Sequence, residues 1–230
     1  IVTLRDSSIK KYNGTTSIPS KSEEIGLNSA IAVSYGSQLK ITNSKIESTV
    51  EYVNGIYASG QKTKVSLIDS EIKNYAVHNN GAVVATSATL ELEHTDIITK
   101  YPHSPAILVK SKYGNATLNN SMLETNGSSS PLFKSSGTLT IENSTGTANG
   151  SRFAVLTGGK LTIKNTTLIS AGASNDDEEL ASGFLIRGKE PTDIVLKDSS
   201  LNINSKLPYY KTAILFNILD STTTLSLTKT

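Results

Sequence analysis

The chain has 230 residues, a formal net charge of +2 and no cysteine. A charge this small, with both signs mixed throughout, argues against nucleic acid as a partner, and without cysteine there is neither a disulfide nor a thiolate metal site. No apolar run approaches the roughly 18 residues of a membrane helix, so no membrane insertion by this segment is expected. Cysteine avoidance suits a chain that crosses an oxidising compartment unfolded. The start at Ile1, with no methionine or leader, reads as processing or as a fragment.

In chain order, one pattern recurs. It runs Val2-x-Leu4-x-Asp6-x-x-Ile9, Leu39-x-Ile41-x-Asn43-Ser44-x-Ile46, Val65-x-Leu67-x-Asp69-Ser70-x-Ile72 and Leu90-x-Leu92-x-His94-x-x-Ile97. It continues as Ala116-x-Leu118-x-Asn120-Ser121-x-Leu123, Leu139-x-Ile141-x-Asn143-Ser144, Leu161-x-Ile163-x-Asn165-x-x-Leu168 and Ile194-x-Leu196-x-Asp198-Ser199-x-Leu201. Leu225-x-Leu227 opens a further copy. From Asn43 the polar slot steps by 26, 25, 26, 23 and 22 residues to 69, 94, 120, 143 and 165. Upstream of each copy after the first lies a second apolar segment, from Ala30-Ile31-Ala32-Val33 through Gly55-Ile56-Tyr57-Ala58 to Ala213-Ile214-Leu215-Phe216.

Each repeat therefore reads as a short strand, a turn, a second strand with period two, a tight bend at Asn or Asp, and a third short strand. A variable loop leads to the next repeat. The alternation points one face inward and one to solvent. One such coil cannot bury its apolar face, but a stack can. The expected fold is all-β: a right-handed parallel β-helix of about eight to nine coils with three short strands each, spanning residues 1–230 as a single domain. At about 4.8 Å per coil the rod measures roughly 40 Å. Asn43, Asp69, His94, Asn120, Asn143, Asn165 and Asp198 form its structural ladder, because Asn tolerates a left-handed bend and its amide reaches the next coil. His94 simply takes the ladder position.

The pattern G-x-I-x-V-x-x-G-x-x-L-x-I-x-N-S-x-I resembles the coils of pertactin-like passenger domains of bacterial autotransporters, best over residues 30–170. The resemblance implies a fragment or released passenger, whose signal peptide and C-terminal outer-membrane barrel are not in the chain. It implies a place at the bacterial cell surface or in the medium, and an adhesin or receptor-directed factor that binds a host-cell surface protein or glycan. Pectate lyases and phage tailspikes share the architecture, so the alternatives are a polysaccharide-degrading enzyme or a passive stalk.

Catalytic chemistry is hard to find. The first-strand segments IAVS, IYAS, AVVA, AILV, LFK, FAVL, FLIR and AILF hold no acid, whereas glycoside hydrolysis needs paired carboxyl groups. Asp176-Asp177-Glu178-Glu179 reads as a solvated loop, and the three histidines lack metal-ligand spacing. No catalytic residue, metal or cofactor is expected, and the chain reads as a monomeric binding module, not an enzyme. Loops carry binding more often than framework does. Those after the third strand bear Tyr52, Tyr75 and Tyr101, and near the end Tyr209 and Tyr210; successive coils would bring the first three onto one edge as a receptor contact. In the alternative, each ring lies flat over its own coil. A rival basic surface of Lys40, Lys62, Lys64, Lys110 and Lys112 suits sulfated glycans or acidic membranes.

Overall fold

The computed structural model of the chain describes residues 1–14, 18, 21, 25–171, 181–204 and 214–229. Tyr209, Tyr210 and the Asp176–Glu179 acids lie outside the described residues.

Among the described residues, three parallel sheets run the length of a solenoid. Sheet 1 has eight strands, from Ile31–Ser34 to Ile214–Leu219. Sheet 2 has nine, from Val2–Arg5 to Thr223–Thr228, and sheet 3 has eight, from Ser8–Lys11 to Ser200–Ile203. Within a coil the chain passes through sheets 1, 2 and 3 in turn, then returns through a third turn to sheet 1 one coil on. This is the expected parallel β-helix, with the coil count the repeat implied.

Period-two alternation builds sheet 2. Leu39, Val65, Leu90, Ala116, Leu139, Leu161 and Ile194 stack in one inward column, and Ile41, Leu67, Leu92, Leu118, Ile141, Ile163 and Leu196 in the next; all are buried. Sheet 3 adds Ile46, Ile72, Ile97, Leu123 and Leu168. At the sheet 1 wall, Phe153 and Phe184 lie 5.3 Å apart and Phe184 and Phe216 5.0 Å apart.

Sheet 1 departs from the inside–outside rule. Its outward column includes Tyr57, Val83, Leu108 and Leu185, all at most 5 % exposed. Tyr57, Val83, Ala85 and Leu108 form a second apolar cluster outside the main core, and Gly26 rests on the Tyr57 ring, leaving no room for a Cβ. Burial pushes the Tyr57 hydroxyl pKa up. A strand buried on both faces reads as a continuous apolar run, and that is how Ile56–Ser59 and Ala82–Ala85 read.

The bend between sheets 2 and 3 explains the Asn-Ser pair. Asp6, Asn43, Asp69, His94, Asn120, Asn143, Asn165 and Asp198 all have φ between 45° and 50°, the left-handed region that Asn and Asp tolerate best. The next residue turns inward and bonds twice. Ser121 Oγ donates to the Asn119 carbonyl (2.8 Å) and accepts the Thr95 N–H (3.0 Å). Ser44, Ser144, Thr166 and Ser199 repeat both bonds. A buried hydroxyl ladder thus runs beside the exposed amide ladder.

Candidate functional site

The third turn, between sheet 3 and the next sheet 1, carries the predicted tyrosines. Its backbone is held by buried side chains. Val53 N–H donates to Asn79 Oδ1, Asn79 N–H to Ser104 Oγ and Ser104 N–H to Ser130 Oγ, each at 3.0 Å. Within each coil a sheet 3 side chain ties the turn back: Asn74 Nδ2 donates to the Asn80 carbonyl (2.6 Å) and Thr125 Oγ1 to the Ser130 carbonyl (2.6 Å). Buried hydrogen bonds of this kind hold a turn in place, although Asn74 Oδ1 and Asn80 Oδ1 find no partner among the described residues.

On this frame stands a column of rings. Tyr52, His78 and His103 occupy equivalent positions: their main-chain N–H groups donate to the carbonyls of Val77, Pro102 and Ser128, one coil on. All three have left-handed backbone, φ 58°, 56° and 56°. The Tyr52 and His78 rings stack at 4.7 Å and 6°, and those of His78 and His103 at 4.7 Å and 5°. That separation is the coil rise itself. Nearly parallel rings hold their nitrogen lone pairs in separate planes, so the two imidazoles do not converge on one metal ion.

Tyr75 and Tyr101 share this edge but not this column. Tyr75 aligns with Lys100 and Asn126, three positions earlier in the turn, and is half-buried. Tyr101 is exposed and aligns with Gly127, where a Cβ would strike the Tyr101 carbonyl. Tyr52 alone stacks, on histidines that sequence reasoning passed over. The available signal was spacing: Tyr52 to His78 is 26 residues and His78 to His103 is 25, the coil period.

Two of the five rival basic residues are drawn into ion pairs. Lys64 Nζ lies 2.7 Å from Glu91, and Lys112 Nζ 3.6 Å from Glu190 and 5.6 Å from the Tyr113 ring. Lys40 lines a groove on the outer face of sheet 2 together with Glu91 and Glu93. Those two carboxylates share one outer face of a strand, and Glu71 and Asp96 are register partners across sheet 3. Glu91 also accepts from Ser66 Oγ at 3.0 Å. Glu93 accepts from Asn120 Nδ2 at 2.8 Å and Asn119 Nδ2 at 2.9 Å, and these amides hold its pKa below the ordinary carboxylate value. His94 Nδ1 lies 3.5 Å from Glu93 and 3.6 Å from Asp69. Among the described residues no cluster of three or more His, Asp or Glu is arranged to hold a metal ion, and no helix is long and apolar enough to cross a membrane.

A family model described as the right-handed beta helix region matches residues 54–217. Searches of curated proteins and of solved structures give no match.

Proposed function

The chain belongs to the right-handed beta helix family, and from that premise we propose that it is a binding module: a bacterial rod of the autotransporter-passenger kind, displayed at the cell surface or released, which engages a host-cell protein or glycan through its third-turn edge. The observation that carries this reading is the Tyr52–His78–His103 column beside Tyr75 and Tyr101. Rings with polar tips, fixed on a rigid frame, give contact area at little entropic cost. Glu91 and Glu93 support the same reading. A glycosidase general acid needs a raised pKa, whereas Glu93 is lowered and Glu91 is paired with Lys64.

The test is saturable binding of the labelled chain to cultured animal cells with unlabelled chain as competitor. A Tyr52→Ser, Tyr75→Ser, Tyr101→Ser variant should lose tenfold or more in affinity, about 1.4 kcal/mol or more, and keep its unfolding transition. Unchanged binding removes the edge from the function. The polysaccharide-enzyme alternative rests on Glu91 and Glu93 sharing one outer face. Depolymerisation of a glycan, abolished by Glu91→Gln with Glu93→Gln, would favour it instead.

A further inference from the structure

The ring column stops one coil before the turn that carries it changes shape. Position 129 is equivalent to 52, 78 and 103 and has the same left-handed backbone (φ 52°), but it carries Ser129. In the next coil the turn is two residues shorter. Asn126 to Pro131 spans five positions, while the equivalent Asn149 to Arg152 spans three. None of residues 149–153 has positive φ. His103 is therefore the last ring of the column among the described residues, and it is exposed.

A groove lies at this end, lined among others by His78, His103, Asn80, Pro105, Ser129 and Lys134. No acid lines it, and Lys134 is exposed. Behind its wall lies an orphan. Asn54 Nδ2 donates to Ser29 Oγ (3.3 Å) and Asn80 Nδ2 to Asn54 Oδ1 (2.8 Å). The position one coil on is Pro105, which has no side-chain donor, and Asn80 Oδ1 is left buried with no hydrogen-bond partner. Such a group costs stability unless something fills it.

We propose that this groove seats one aromatic side chain from an acidic segment of a protein partner. The incoming ring stacks on His103 as the fourth member of the column, over Ser129. A carboxylate next to it in the segment pairs with Lys134. A flat ring prolongs the column at its own spacing, which a puckered sugar ring does not. The proposal rests on the third-turn edge being the binding edge and specifies what one part of it takes.

The probe is the peptide N-acetyl-Glu-Trp-Glu-amide, titrated into the full chain. The chain has no tryptophan, so indole emission reports on the probe alone. The expected result is a saturable change in emission, together with an upfield shift of the His103 ring protons and none at His94. Ser129→Phe, or the milder Ser129→His, supplies the fourth ring from the chain itself. Tyr52, His78 and His103 already show that this backbone accepts a ring, and either variant should weaken the probe tenfold or more. Lys134→Gln should weaken it about two- to five-fold. No saturable signal up to the solubility of the probe overturns the proposal, as does equal binding by Ser129→Phe. Glucuronate shifting His103 where the peptide does not would overturn it in favour of an acidic sugar. If the triple tyrosine variant loses cell binding and Ser129→Phe keeps it, the edge stands and the seat falls.

Discussion

At the scale of single residues, the Asn-Ser pair divides two tasks. The first residue accepts the left-handed bend in solvent; the second satisfies buried main-chain groups on two coils. Removing the second should cost more. In Ser121→Ala the Thr95 N–H keeps its burial and loses its acceptor, a loss of about 1–3 kcal/mol, to be read from the urea midpoint. Asn120→Ala instead removes one of the two amides on Glu93. The Glu93 pKa should rise toward the ordinary carboxylate value, as followed by NMR titration of its side chain. The sign follows from linkage. A folded-state pKa below the unfolded one stabilises the protein above the unfolded value, and this is lost as pH falls through the folded value. The variant should therefore lose less stability on acidification than the parent does. Glu93 is largely solvated, so the effect is small.

At the scale of strands and turns, large and small residues alternate across the core. A Cβ on Gly55 would lie 2.6 Å from Ile72 Cγ2, and one on Gly146 would lie 2.7 Å from Leu132 Cδ1. Gly55 and Leu132 occupy equivalent positions, as do Ile72 and Gly146. At Gly55 and Gly81 sheet 3 brings Ile72 and Ile97 against a glycine in the turn, and at Gly146 the turn brings leucine against a glycine in sheet 3. Cores fill volume in this way. Gly146→Ile alone should overpack and cost about 1–3 kcal/mol. Adding Leu132→Gly should recover part of the loss, and a double-mutant cycle in urea should return a favourable coupling. An additive result would mean that the two sites do not share volume.

At the scale of the whole molecule, each coil contacts only its neighbours, so stability is a sum of local terms. The middle coils are buried above and below. In Thr223–Thr228 the inward Leu225 and Leu227 are 41 % and 66 % exposed. Hydrogen exchange should therefore be slowest from Val65 to Ile163 and fastest in Ile214–Leu219 and Thr223–Thr228 of this chain. Uniform protection along the rod would show an all-or-none unit instead.

The strand pattern, the left-handed Asn and Asp bends and the parallel stack were legible in the amino-acid sequence, because each is a local property repeated at every coil. Side-chain alternation dictates which residues of sheet 2 face inward, and the chemistry of Asn and Asp dictates where the chain can bend. Which third-turn residues meet was decided only in the tertiary structure. Alignment there depends on residues gained or lost in every turn before it, so Tyr52, Tyr75 and Tyr101 fall in three different positions while Tyr52, His78 and His103 fall in one. The outer face of sheet 1 was likewise settled by packing. Its apolar run is compatible with one covered face or two, and only the folded chain, with Gly26 laid on Tyr57, determines which.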